Sequence, residues 1–201
     1  MFALGGIMKR IAQSIRNTNE TQIKAMLNMD GEGKANIDTN IGFFDHMLVL
    51  LAFHSNMDID VQAKGDLDVC DHHLVEDCGI LLGKLFKEAI GDKKGIQRYG
   101  NMRMVMDEVL CNVDLDISGR PYLVYNVELK RDAIHNFSCE MTREFLYAFA
   151  IQAGITLHVN VVYGTNDHHK IEAIFKGLGR ALKEAIKITG NIVPSSKGVL
   201  Q

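Results

Sequence analysis

The chain has 201 residues, of which 47% are apolar and 23% charged, and its formal net charge is −3. That size and balance fit one large globular domain or two fused half-size units, and mild acidity without a block of like charges argues against nucleic acid or an anionic membrane as partner. No apolar run approaches the ~20 residues of a spanning helix, and the four cysteines (Cys70, Cys78, Cys111, Cys139) form no C-x-x-C pair and read as reduced thiols of a cytoplasmic protein.

Met1–Ile7 is apolar, but its basic residues, Lys9 and Arg10, follow it, the reverse of a secretory leader. Residues 1–8 are therefore read as an N-terminal extension, with Met8 as an alternative start. Thr21–Met29 and Ala35–Thr39 alternate around Asp30-Gly31-Glu32-Gly33, a hairpin signal. A helix-like stretch then ends at Ala52-Phe53 and is followed by an alternating strand over Met57–Val61. Next come the motif Asp71-His72-His73-Leu74-Val75-Glu76 and an amphipathic helix over Gly79–Ile90.

The second half repeats this order. Val109–Asp116 and Tyr122–Val127 flank Ser118-Gly119-Arg120-Pro121, a helix-like stretch ends at Ala148-Phe149, and Ile155–Val159 alternates. Asp167-His168-His169-Lys170-Ile171-Glu172 then restates the motif 96 residues on and leads into a helix over Ala173–Ile186. Each half reads ββαβα. The sequence thus predicts a single α+β domain over 9–201, built of duplicated halves (9–93 and 94–190) related by pseudo-twofold symmetry and followed by a tail, 191–201.

The duplicated motif points to metal chemistry. At about 100° per residue, His72 and Glu76 lie on one helix face and can bite one ion, whereas His73 points about 100° away from His72 and suits a different ion. His168, His169 and Glu172 repeat the pattern. Imidazole and carboxylate donors without thiolate suit Mn²⁺, Fe²⁺, Co²⁺ or Zn²⁺ in a di-metal centre. A single such motif would equally be a helix start, with Asp71 or Asp167 as cap and the rest as solvated first-turn polars; caps do not require paired histidines twice. His46, in Phe43-Phe44-Asp45-His46-Met47, opens another helix and is a further candidate ligand, while His54, His135 and His158 are read as structural or exposed.

Several segments together resemble the imidazoleglycerol-phosphate dehydratase family: Arg16-Asn17-Thr18-Asn19-Glu20-Thr21, Gly42–Met47, both Asp-His-His-x-x-Glu motifs, Asp116-Ile117-Ser118-Gly119-Arg120-Pro121 and Pro194-Ser195-Ser196-Lys197-Gly198. The resemblance runs from about Arg10 to the C-terminus. It implies a fold like the second domain of ribosomal protein S5, a homo-oligomer of 24 subunits with active sites at subunit contacts, and two Mn²⁺ ions per site. By motif, one ion would take His46, His73, His168 and Glu172, and the other His72, Glu76, His169 and Glu144. The implied reaction dehydrates imidazole glycerol phosphate to imidazole acetol phosphate in histidine biosynthesis. A ring bound to two metals as imidazolate would expel the hydroxyl through a diazafulvene-like intermediate. Glu20 is the first candidate for the proton-shuttling carboxylate and Glu172 the second. Substrate contacts would come from Glu20, His46, His72 and His168. Arg98, Arg120, Lys176, Ser195, Ser196 and Lys197 would supply the phosphate donors, with the tail closing over the substrate.

The chain departs from the family pattern at four positions: Glu144 stands where many relatives have histidine, Cys70 where aspartate is common, Val105 for a usual proline and Leu50 for glutamine. Its length leaves no room for a fused phosphatase domain, so a monofunctional chain is expected. Two alternatives remain at this stage: a di-metal phosphoesterase of the Asp-His-His type, and a non-enzymatic assembly protein held together by metal.

Overall fold

The structure, a computed structural model, describes residues 9–200; the expected extension 1–8 lies outside the described residues. In chain order the first half contains β1 (Ile11–Asn17), β2 (Thr21–Asn28), β3 (Ala35–Asp38), α1 (Gly42–Ser55), β4 (Asp58–Gly65) and α2 (His72–Ile90). The second contains β5 (Tyr99–Met106), β6 (Val109–Asp116), β7 (Tyr122–Asn126), the short pair β8 (Ala133–Ile134) and β9 (Phe137–Ser138), α3 (Met141–Ala153), β10 (Thr156–Tyr163) and α4 (Asp167–Ala185).

The duplicated α+β architecture stands, with one extra strand ahead of ββαβα in each half. The pairing corrects the expected hairpins. In the first sheet the order is β1-β2-β4-β3, with β2 antiparallel and β3 parallel to β4; in the second it is β5-β6-β10-β7, with β7 parallel to β10. The true hairpins are β1–β2 and β5–β6. A turn signal fixes a change of direction locally, but the partner is chosen by burial, and β4 and β10 are the strands whose inward side chains, Ile59, Val61, Leu157 and Val159, complete the core. β1 gives little alternation because it is an edge strand in which only Ala12 is buried. In β5 the inward Gly100, Met102, Met104 and Met106 alternate with outward residues and could have been found.

The four helices lie between the sheets, α1 and α2 on the first and α3 and α4 on the second, with α1 crossing α4 and α2 crossing α3. Glycine sets the closeness of both crossings. A Cβ on Gly83 would sit 2.6 Å from the Phe149 carbonyl oxygen, and one on Gly179, its counterpart 96 residues later, 2.9 Å from His54 Cβ and 3.0 Å from the Leu51 oxygen. Between the crossings Phe44, Phe86, Phe137, Phe145, Phe149 and Phe175 are fully buried and touch edge-on or stacked. All four cysteines are free; Cys70 is exposed, and burial pushes the Cys111 thiol up to about 12. Among the described residues no helix is long and apolar enough to cross a membrane.

Candidate metal centre

Both helices that carry the duplicated motif begin at it, so the histidines stand on first turns where backbone N–H groups face outward. The cap reading of the aspartates does not hold. Asp71 makes no cap bond; its oxygens accept the Ser138 N–H and hydroxyl at 2.6 and 2.8 Å. α4 is capped by Asn166, whose side chain accepts from the His168 N–H at 3.0 Å. Asp167 instead accepts the Lys130 and Arg131 N–H groups, both at 2.7 Å, and pairs with buried Lys170 at 2.9 Å. The two aspartates thereby hold opposite ends of the loop between β7 and α3.

Three of the expected ligands meet within one chain. His46 from α1 and His168 and Glu172 from α4 offer donor atoms that all lie within 4.8 Å of one another. His168 Nε2 is 3.1 Å and His46 Nε2 4.0 Å from Glu172 Oε2. Phe43 packs edge-on against the His168 ring. The other Glu172 oxygen is 2.5 Å from Lys176 Nζ. Burial pulls the Glu172 carboxyl upward, but the Lys176 ammonium and the His168 and His46 rings outweigh it, so the group stays ionised below the ordinary glutamate range. A buried anion flanked by two imidazoles is a hard–borderline donor set that fits a divalent transition metal. An ion there would compete directly with Lys176 for the carboxylate.

The first arm is arranged in the same way but stands apart. His72 Nε2 is 3.7 Å from Glu76 Oε2, one turn on. His73 is turned away and gives Nδ1 to Asp66 at 3.1 and 3.2 Å. In the second arm His169 gives Nδ1 to Glu108 at 2.8 Å. That contact raises the His169 pKa, and with the N–H groups of Asn166 and Thr165 it holds the Glu108 carboxyl well below its usual range. Asp66 and Glu108 escaped the sequence reading; a carboxylate at a strand end beside each arm is a weak signal, because its histidine is distant in the chain. Glu144, on the first turn of α3, is taken up by Arg143 at 2.6 Å. Among the described residues, neither it nor His72, His73, Glu76 or His169 joins the His46–His168–Glu172 group.

Of the expected phosphate contacts, Lys176 stands instead beside Glu172, while Arg98 and Arg120 meet at a second place. Arg98 binds Asp116 through two hydrogen bonds of 2.7 and 3.0 Å, Arg120 lies 4.0 Å from the same carboxylate, and Arg98 also donates to the Pro194 carbonyl at 2.9 Å. Ser195, Ser196 and Lys197 follow directly, and Gly95 ties residues 189–192 to the body through backbone hydrogen bonds. Glu20, in the β1–β2 turn, borders a cleft of ≈ 360 Å³ with Thr18, Lys64 and Asp66. Its carboxylate has no hydrogen-bond partner among the described residues, whereas its neighbour Thr21 is anchored to buried Asp77 at 2.5 Å.

The chain is similar to known proteins over almost its whole length. The profile of the family described as imidazoleglycerol-phosphate dehydratase matches residues 39–182. A protein of that name from Clostridium botulinum is 55% identical over 195 residues, covering 96% of this chain and 100% of the relative, and one from Lactococcus lactis is 55% identical over 199 residues, covering 96% and 98%. The crystal structure of imidazoleglycerol-phosphate dehydratase from Staphylococcus aureus superposes with a TM-score of 0.82 at 42% identity, covering 89% of this chain and 99% of that one.

Proposed function

The chain belongs to the imidazoleglycerol-phosphate dehydratase family, and from that premise we propose that it dehydrates imidazole glycerol phosphate to imidazole acetol phosphate in histidine biosynthesis, using divalent metal. The observation that carries the metal reading is the convergence of His46, His168 and Glu172 around one point. We take Mn²⁺ as the ion, because carboxylate and imidazole donors without sulfur suit it. One ion would be held by His46, His73, His168 and Glu172, and a second by His72, Glu76, His169 and Glu144. When bound, the pair supplies Lewis-acid polarisation of the imidazole and a template that fixes the ring.

The residues of the chain do the rest. Glu20, on an anchored turn and with no carboxylate partner among the described residues, is the first candidate to move the proton at the reacting carbons, and Glu172 the second. Lys176 holds Glu172 in place. Arg98 and Arg120, aligned by Asp116, and the Ser195-Ser196-Lys197 tail would bind the phosphate by charge-assisted hydrogen bonds.

Geometry supports a site shared between subunits. The Arg98 N–H bonds the Ala185 carbonyl at the end of α4, while His168 begins that helix. Seventeen residues of helix at 1.5 Å each separate them by about 25 Å. β5 gives a similar span, since the nine steps from Arg98 to Asp107, which lies 3.7 Å from the His169 ring, come to about 30 Å at about 3.3 Å each. The substrate's ring and phosphate are only about 10 Å apart. We therefore take the Arg98 and His168 groups of one site to come from different copies of a cytoplasmic homo-oligomer, which we take as 24 subunits. Purified assembled protein with Mn²⁺ and imidazole glycerol phosphate should yield the acetol phosphate; release of inorganic phosphate would indicate a phosphoesterase, and no turnover with metal bound would indicate a structural metal.

A further inference from the structure

We propose that Glu108 is a positioning residue that fixes the tautomer of His169, so that this histidine presents Nε2 and not Nδ1 to a metal ion; this rests on the metal-dependent reading above. Glu108 Oε2 lies 2.8 Å from His169 Nδ1. Its other oxygen receives the Asn166 N–H at 2.7 Å, the Thr165 N–H at 3.1 Å and the Thr165 hydroxyl at 3.3 Å. An ionised carboxylate accepts only, so the proton between the two side chains sits on Nδ1; Nε2 is left with its lone pair, its nearest carboxylate, the exposed Asp107, standing 3.7 Å away, beyond hydrogen-bond length. Because three donors from the start of α4 hold Oε1, the carboxylate cannot swing away from the ring.

Two further features support the assignment. The first arm has the same device, with Asp66 on Nδ1 of His73. In both halves the second histidine of the pair is therefore oriented by a carboxylate from outside its helix, while the first turns Nε2 toward the glutamate four residues on. Glu108 also occupies the place of Glu20 in the duplicated unit, since each immediately precedes the second strand of its hairpin, β2 or β6. The two copies have parted in use. Glu20 keeps a carboxylate without partners among the described residues, whereas both oxygens of Glu108 are committed to orientation. Only the first is therefore free to exchange protons with a substrate.

The test is Glu108→Gln in the assembled protein. A glutamine has one acceptor and one donor end. The Asn166 and Thr165 backbone N–H groups can only donate, so the amide oxygen stays with them and the NH₂ faces Nδ1. That stabilises the tautomer with its proton on Nε2, which cannot ligate. Mn²⁺ titration, followed by calorimetry or by the paramagnetic resonance of free Mn²⁺, should then show one class of site weakened about 10- to 100-fold, with the thermal midpoint of the metal-free protein unchanged. Thr165→Val, which removes only a loop hydrogen bond, should bind Mn²⁺ as the parent does. Parent-like affinity in Glu108→Gln, or an equal loss in Thr165→Val, would overturn the proposal and leave Glu108 as a loop anchor. Failure of the unaltered protein to bind Mn²⁺ would instead remove the metal reading on which the proposal stands.

Discussion

The separation of phosphate and metal groups can be tested by mixing two impaired variants, assayed at substrate well below the KM of the weaker binder. Arg98→Ala removes the guanidinium that binds Asp116 and Pro194; losing a charge-assisted phosphate contact of about 2 kcal/mol corresponds to roughly thirtyfold in affinity. His168→Ala removes one of the three converging donors at the other end of α4. The helix and β5 place these residues about 25 to 30 Å apart in one chain, more than twice the reach of the substrate. In a particle assembled at random from equal amounts of the two variants, a site shared as proposed would draw its Arg98 and its His168 from different copies. About half of the sites receive an intact Arg98 and about half of those an intact His168, so about one quarter of the parent activity should return. The assay is formation of the acetol phosphate after co-expression or co-refolding, compared with each variant assembled alone. If one chain supplied both groups, no site could regain both, and a mixture no more active than its parents would refute the reasoning.

Three other outcomes follow from the geometry. Gly83→Ala and Gly179→Ala each insert a Cβ against neighbouring helix backbone and should cost about 1–3 kcal/mol in denaturant unfolding; a midpoint equal to the parent's would show that the helices can separate freely. Asp116→Asn leaves Arg98 and Arg120 without a shared anchor and should raise KM about tenfold with little change in kcat, whereas an unchanged KM would remove Asp116 from phosphate recognition. Asp58 accepts the Glu32 and Lys34 N–H groups and the Asn28 amide, and these outweigh the upward pull of its burial to hold its pKa below the ordinary 3.8. A depressed carboxyl contributes stability above its unfolded pKa and loses it as the pH falls through the folded one. Asp58→Ala should therefore cost about 1–3 kcal/mol at pH 7, and the gap to the parent should narrow below pH 3.8; a gap independent of pH would show that the charge plays no part.

Features set by neighbours along the chain were legible in the residues alone. The repeat of Asp-His-His-x-x-Glu at the start of two helices announced the duplication, and the four-residue spacing of His168 and Glu172 is the spacing at which a helix brings two side chains together, here to 3.1 Å. The splitting of adjacent histidines toward different partners follows from the same helical period, and His73 and His169 do turn away from their glutamates. What the residues could not convey depends on groups distant in sequence. Which strand lies beside β4 or β10 is decided by which face completes the core, and so the hairpin signals pointed to the wrong neighbours. Asp71 and Asp167 look like caps locally, yet they bind a loop 67 and 37 residues away. Glu108 is 61 residues from the ring it orients, and Arg98 meets the far end of α4 only because β5 packs along that helix. Helical contacts close within one turn of the chain and can be counted from sequence; contacts across sheets and between elements exist only once the core has chosen its packing, and that choice fixed which candidate ligands meet within one chain and which stand apart.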